Sequence, residues 1–370
     1  MDRTLMLIVG QERRDQPVEI SHNGRIGMLT FSANGQYILT VDWDGVQMWG
    51  VEDGKQMARV EARSFRSLAV SQDGSWIAVG GEGYVLLWNT KTFEKLEFFL
   101  ETDEDYETAW GVDFSPDSSQ LVAAVEGYES FLDYYGYRSR HVAKTKIWDI
   151  ATRKQVQTLD HDDALAATYS PQGNRIATAS RHCIRIWDNN DGRLILDIKD
   201  VKAAEVLWQS NDHLFVLSCR GGSTIFQQID ASTGIISAEW PADPNSCIAA
   251  PKHGNFIVYS TGRTVTIWDV LTRAQLGLIQ HTADVRSIAV SPDSRFLAIG
   301  DKDKKITITA SIHLVLLCGL SEQPATIIVR FSFRPHVPEM CHCWLSPLFR
   351  YTDEHVVENG WCVLTRWNMP

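Results

Sequence analysis

One position recurs through most of the chain: Trp49, Trp88, Trp148, Trp187, Ile229, Trp268 and Thr309, at separations of 39, 60, 39, 42, 39 and 41 residues. After each of the first six comes a similar polar stretch: GVEDGKQ, NTKTFEK, DIATRKQ, DNNDGRL, DASTGII and DVLTRAQ. A second register keeps step with the first. It reads SANG at 32–35, SQDG at 71–74, SPDS at 115–118, SPQG at 170–173, SND at 210–212, PKHG at 251–254 and SPDS at 291–294. Two phases of one period predict an array of seven like units, none large enough to bury its own faces, so the copies must stack on one another.

The unit is clearest from Thr145 to Asp188. Two strand-like runs, ALAATYS and RIATASR, flank Ser170-Pro171-Gln172-Gly173. Proline presets φ and glycine accepts positive φ, so this tetrapeptide predicts a tight turn. With an outer strand after KIWD and a further strand ending in RIWD, the unit is a four-stranded antiparallel sheet.

Through this period, and through Trp148-Asp149, Trp187-Asp188 and Trp268-Asp269, the chain resembles the WD-repeat β-propeller family over roughly residues 17–309. The resemblance implies an all-β fold, a seven-bladed β-propeller of four-stranded antiparallel blades. Residues 1–16 would be an N-terminal extension, 17–22 a strand closing blade 7, and 310–370 an irregular tail outside the repeat. It also implies a non-catalytic protein–protein interaction scaffold or adaptor. A propeller hydrolase or a lipid-binding propeller is the alternative, and no carboxylate set or basic rim supports either.

The family further implies one buried relay per blade, made of a His before the inner strand, a Ser or Thr on the second strand, an Asp in the next turn, and the Trp. Carried over, blade 1 supplies His22, Thr40, Asp44 and Trp49, with Asp44 one residue nearer its Trp than usual. Blade 4 supplies His161, Ser180 and Trp187, with Arg181 where the Asp belongs, and blade 7 supplies His281 and Asp303 without a Trp. These groups are read as structural mortar that satisfies buried polar atoms.

With 35 basic and 46 acidic residues the formal charge is −11, which argues against nucleic acid or an anionic membrane as partner and favours basic protein segments. The only early apolar run, Leu5 to Val9, is too short for a signal core, so a soluble, cytoplasmic protein is expected, with the nucleus left open. No phosphate loop, nucleophile elbow or HExxH appears, so no catalytic residue is assigned and no cofactor is expected. His336, Cys341, His342, Cys343 and His355 lack zinc-finger spacing, so no metal is assigned. The seven cysteines predict no disulfide framework.

Two departures from the period carry the functional expectation. Between Trp88 and Trp148 about 20 residues exceed the repeat; the excess falls in the turn between the second and third strands of blade 3 and reads YESFLDYYGYRSRHVA. It is expected to form a loop carrying Tyr128, Phe131, Tyr134, Tyr135, Tyr137, Arg138 and Arg140. On the same face the approach to blade 3 holds Glu101, Asp103, Glu104, Asp105 and Glu107. Aromatics and Arg dominate interface energetics, and clustered acids attract cations, so this sector is the predicted partner site. The second departure is the tail, where a well-patterned repeat stops within a strand near Thr309 and gives way to sequence that reads as foreign to the ring.

Overall fold

The computed structural model describes residues 17–309, except 43–44, 62–64, 93–94, 100–106, 134–135, 162, 221–222, 244–245 and 252–255, together with 5–7, 327–329, 355–358 and 361–364. Residues 17–309 form seven four-stranded antiparallel sheets with no helix among the described residues. Blade 1 runs Met28–Phe31, Tyr37–Asp42, Gly45–Gly50 and Gln56–Glu61, from inner to outer strand. Blades 2 to 6 repeat that order.

The recurring position is fixed by register. Ile38 pairs with Trp49, Ile77 with Trp88, Leu121 with Trp148, Ile176 with Trp187, Leu214 with Ile229, Ile257 with Trp268, and Leu297 with Thr309. Each second-strand partner is at most 2% exposed. A large ring laid across a buried aliphatic residue fills the seam to the next blade, and such seams hold the core. Leu39, Met48, Leu68, Ile77 and Trp88 pack between blades 1 and 2, and Ala109, Val112, Leu121 and Trp148 with Val85 and Leu87 between blades 2 and 3. Burying one such aliphatic side chain stabilises by about 1.5–3 kcal/mol, so the ring is held chiefly by these seams.

Ring closure follows from the chain ends. Val18–Ser21 pairs antiparallel with Lys305–Thr309 as the outer strand of blade 7, Glu19 meets Lys305 at 2.6 Å, and Ile20 is 3% exposed. Around the channel, inner strands are stitched across blades 5, 6, 7 and 1. Glu205 accepts the Ile248 N–H, Cys247 Sγ donates to Arg286 O at 2.8 Å, and Ser287 Oγ accepts from Leu29 N at 3.0 Å. Between blades 3 and 4 the backbones come so near that a Cβ on Gly111 would lie 2.8 Å from Ala166 Cα, which glycine alone permits.

The turns show the same economy. The last position of the tight turn between first and second strands takes positive φ at Gly35, Gly74 and Gly173, and Ser118 and Ser294 adopt it too. In blade 3 the sequence expectation of a loop is corrected: the second and third strands themselves lengthen, to Gln120–Asp133 and Gly136–Asp149. Apart from the ring, Leu5–Leu7 pairs in parallel with Ile327–Val329, and His355–Glu358 pairs with Trp361–Leu364. The expectation for 310–370 otherwise lies outside the described residues.

Candidate partner-binding sector at blade 3

The lengthened strands of blade 3 pair without a break from Gln120 opposite Asp149 to Asp133 opposite Gly136. Their neighbours stop early: the inner strand ends its pairing at Thr108 opposite Glu126, and the outer strand at Leu159 opposite Thr145. Beyond those points Gly127–Asp133 and Gly136–Lys144 form a two-stranded ribbon, which at about 3.3 Å per residue stands about 23 Å clear of the blade. The ribbon's backbone carries Tyr128 opposite His141, Glu129 opposite Arg140, Phe131 opposite Arg138 and Leu132 opposite Tyr137. Predicted residues Glu101, Asp103, Glu104, Asp105, Tyr134 and Tyr135 lie outside the described residues.

The base of the ribbon is built from two ion pairs and an aromatic ring. Lys146 Nζ donates to Glu107 Oε2 at 2.8 Å, with side chains 10% and 17% exposed. One predicted acid is therefore already matched by a cation of its own blade. The turn of blade 2 reaches over to the same place, because Gly83 N donates to Glu107 O and Glu82 bridges to Thr108. Arg66 donates to Glu82 Oε1 at 2.8 Å and lies 4.9 Å over the Trp110 ring.

Arg66 and Trp110 were not foreseen from the sequence. Each is the extra residue of a β-bulge in its inner strand, between Phe65 and Ser67 and between Ala109 and Gly111. A bulge re-aims a side chain, and here two bulges on adjacent blades turn a cation onto an indole. The signal was positional, since both stand five residues before the first Ser of their turns, Ser71 and Ser115. Arg66 Nε and Trp110 Nε1 are buried and have no acceptor among the described residues.

The relays exist with different members. In blade 1 Trp49 Nε1 donates to Thr40 Oγ1 at 2.9 Å, and Thr40 lies 3.1 Å from His22 Nε2. With Nδ1 protonated the ring donates to Gly24 O at 2.9 Å, which leaves Nε2 to accept from the Thr40 hydroxyl. The acid beside His22 is Asp42, 3.9 Å from Nδ1, while Asp44 lies outside the described residues. In blade 4 Trp187 Nε1 and His161 Nδ1 meet Thr178 Oγ1 at 2.8 and 2.6 Å, so Thr178 replaces Ser180. Ser180 closes the next turn instead, accepting from Cys183 N and donating to Cys183 O.

In blade 7 His281 lies 3.5 Å from Asp301 and 3.2 Å from Thr307, and Asp303 is exposed. The expected Ser180 and Asp303 each sit two residues past the residue that takes the role. Thr178 and Ser180 share a face of one strand, so register decides which meets the His, whereas Asp301 ends its strand and Asp303 lies in the turn beyond it.

A family model for the WD domain, G-beta repeat, matches residues 56–89, 153–188 and 274–308. An uncharacterized WD repeat-containing protein of Deinococcus radiodurans is 30% identical over 35% of this chain and 51% of its own length. WD repeat-containing protein 18 of Danio rerio is 21% identical over 72% of this chain and 65% of its own length, and the transcription factor unc-37 of Caenorhabditis elegans 21% identical over 79% and 48%. The chain thus spans about half to two thirds of the length of these relatives. Among solved structures, Kuenenia stuttgartiensis hydrazine synthase gives a TM-score of 0.62 at 14% identity, covering 82% of this chain and 98% of that one. The β-propeller domain of Myceliophteria thermophila Cps50 (Swd1) gives 0.63 at 16% identity, covering 80% and 98%. At these identities the likeness is one of fold.

Proposed function

Because the chain is a WD-repeat β-propeller, we propose that it works as a non-catalytic scaffold that binds other proteins, with the blade 3 sector as its contact surface. The observation that carries this reading is the ribbon, whose pairing continues past the last residues that the inner and outer strands of its blade meet. An isolated two-stranded ribbon is marginal in water, so one that projects from a stable ring is best understood as prepared for a partner. Its foot holds Arg66 and Trp110, residue types that anchor and orient a bound protein.

The His residues that would suggest catalysis are engaged with Thr40, Thr178 and Thr307, which favours the non-catalytic reading. An acidic chain favours basic protein segments over nucleic acid or anionic lipid as partners. The test is to replace Tyr134, Tyr135 and Arg138 by Ala and compare captured proteins by quantitative mass spectrometry. Loss of partners from a ring that melts as the parent does is the expected result, and an unchanged set would refute it.

A further inference from the structure

The residue that follows the bulge of an inner strand meets the next blade: Gly111 lies against Ala166, and Ser287 Oγ accepts from Leu29 N at 3.0 Å. It is small at Ser67, Gly111, Ala166 and Ser287, and breaks the pattern at Glu205 in blade 5. On the inner strand Ala203–Ser210, Glu205 is used as Ser287 is, accepting the N–H of Ile248 in blade 6. A hydroxyl makes such a bond with a neutral group; a carboxyl makes it with one that can ionise.

Among the described residues no cation pairs with that carboxyl. On its own sheet Glu205 pairs with Leu217, and the inner strand of blade 4, Ala164–Tyr169, carries no charge. Arg175, on the next strand of blade 4, donates to Asn211 O at 3.4 Å. From blade 6 the Cys247 thiol faces Glu205; its Sγ donates to Arg286 O at 2.8 Å, and the Arg286 charge of blade 7 bears on that thiol. A charge taken from water without a counter-ion favours the proton, and burial holds the carboxyl at about 7 against the lowering by the Ile248 N–H.

The blade that receives this bond is lightly held at its inner strand. That strand is the pair Ile248–Ala249, where the other blades have four to eight residues. Trp268 Nε1 has no acceptor among the described residues, whereas Trp49 and Trp187 are held by Thr40 and Thr178. Farther out the seam is firm, with Phe215, Phe226 and Trp240 against Ile257 and Tyr259. We propose that the inner seam between blades 5 and 6 is a proton-operated joint: with Glu205 protonated the Ile248 strand is held shut, and ionisation of Glu205 lets that strand open locally while the outer seam stays packed. Once opened, the carboxyl ionises near about 4.3, so opening grows as pH rises from there to about 7 and levels off above it. Acid tightens the joint.

The test is amide hydrogen exchange of the full chain at about pH 5 and about pH 7, expressed as protection factors so that the intrinsic rate cancels. Ile248 reports the joint. Leu29, which donates to the neutral Ser287 hydroxyl in the seam of blades 7 and 1, is the internal control and needs no variant. Ile248 protection should be at least about tenfold lower at about pH 7 than at about pH 5, while Leu29 protection changes by less than about twofold. In Glu205→Gln, which keeps an acceptor without the charge, and in Glu205→Ser, which copies Ser287, the Ile248 protection should be independent of pH within about twofold. A flat Ile248 profile in the parent, an equal change at Leu29, or the parent's pH dependence persisting in either variant would overturn the joint.

Discussion

Lys146 Nζ donates to Glu107 Oε2 at 2.8 Å, tying the third strand of blade 3 to the residue that leads into its first. Both side chains are largely covered, so removing one leaves a charge facing protein rather than water. Lys146→Ala is expected to cost roughly 2–4 kcal/mol in urea unfolding. The double variant Lys146→Met, Glu107→Leu should recover most of that loss. A single variant as stable as the parent would show that water already shields the pair.

Thr40 and Thr178 are the hubs of their relays, each accepting an indole N–H and facing a buried His. Thr40→Val keeps the shape and deletes the acceptor, and should cost about 1–3 kcal/mol by orphaning the Trp49 N–H. Thr178→Val should do the same in blade 4, and Ser180→Ala should cost clearly less. If Ser180→Ala proves the costlier change, the hub has been assigned to the wrong residue.

Burial raises the Glu205 carboxyl to about 7, against a lowering by the Ile248 N–H that it accepts. It faces the Cys247 thiol, itself pushed up to about 12 by burial first and then by the Glu205 charge, with Arg286 opposing. The sign follows from linkage. Unfolded, Glu205 ionises near about 4.3, so between there and about 7 the folded state holds the extra proton. Its contribution to stability therefore declines as pH rises through that window and stays low above it. Glu205→Gln keeps an acceptor for Ile248 and should raise the melting temperature at about pH 8 and change it little at about pH 4. An equal effect at both would contradict the linkage.

Closure depends on Val18–Ser21, through its pairing with Lys305–Thr309 and the buried Ile20. Ile20→Ala should cost about 2–4 kcal/mol, and removing residues 1–22 should cost more, because blade 7 then loses its outer strand and exposes an edge. A truncated chain that unfolds at the parent's denaturant midpoint would show that the strand is ornamental.

The seven-fold plan was legible because register and burial act on every repeat alike, so that Trp49, Trp148 and Trp268 mark one place each time. Two relay members, Ser180 and Asp303, stand two residues past the ones that meet the His, and for Ser180 the reason is that it shares a strand face with Thr178 and sequence does not give register. The excess over the period between Trp88 and Trp148 marks an insertion in the inter-strand turn without giving its conformation, because continuous pairing with the opposite strand is a non-local property. Arg66 and Trp110 stayed hidden because a bulge changes where a side chain points without changing what the residue is.

The most direct test of the account is to shorten the ribbon itself, replacing residues 128–141 by an Asn-Gly turn, and to measure both melting and partner capture on the same protein. The account predicts a melting temperature within about 2 °C of the parent, since the replaced residues lie beyond the last pairings with the inner and outer strands, together with loss of the captured proteins. An unchanged set of captured proteins on an intact ring would contradict it.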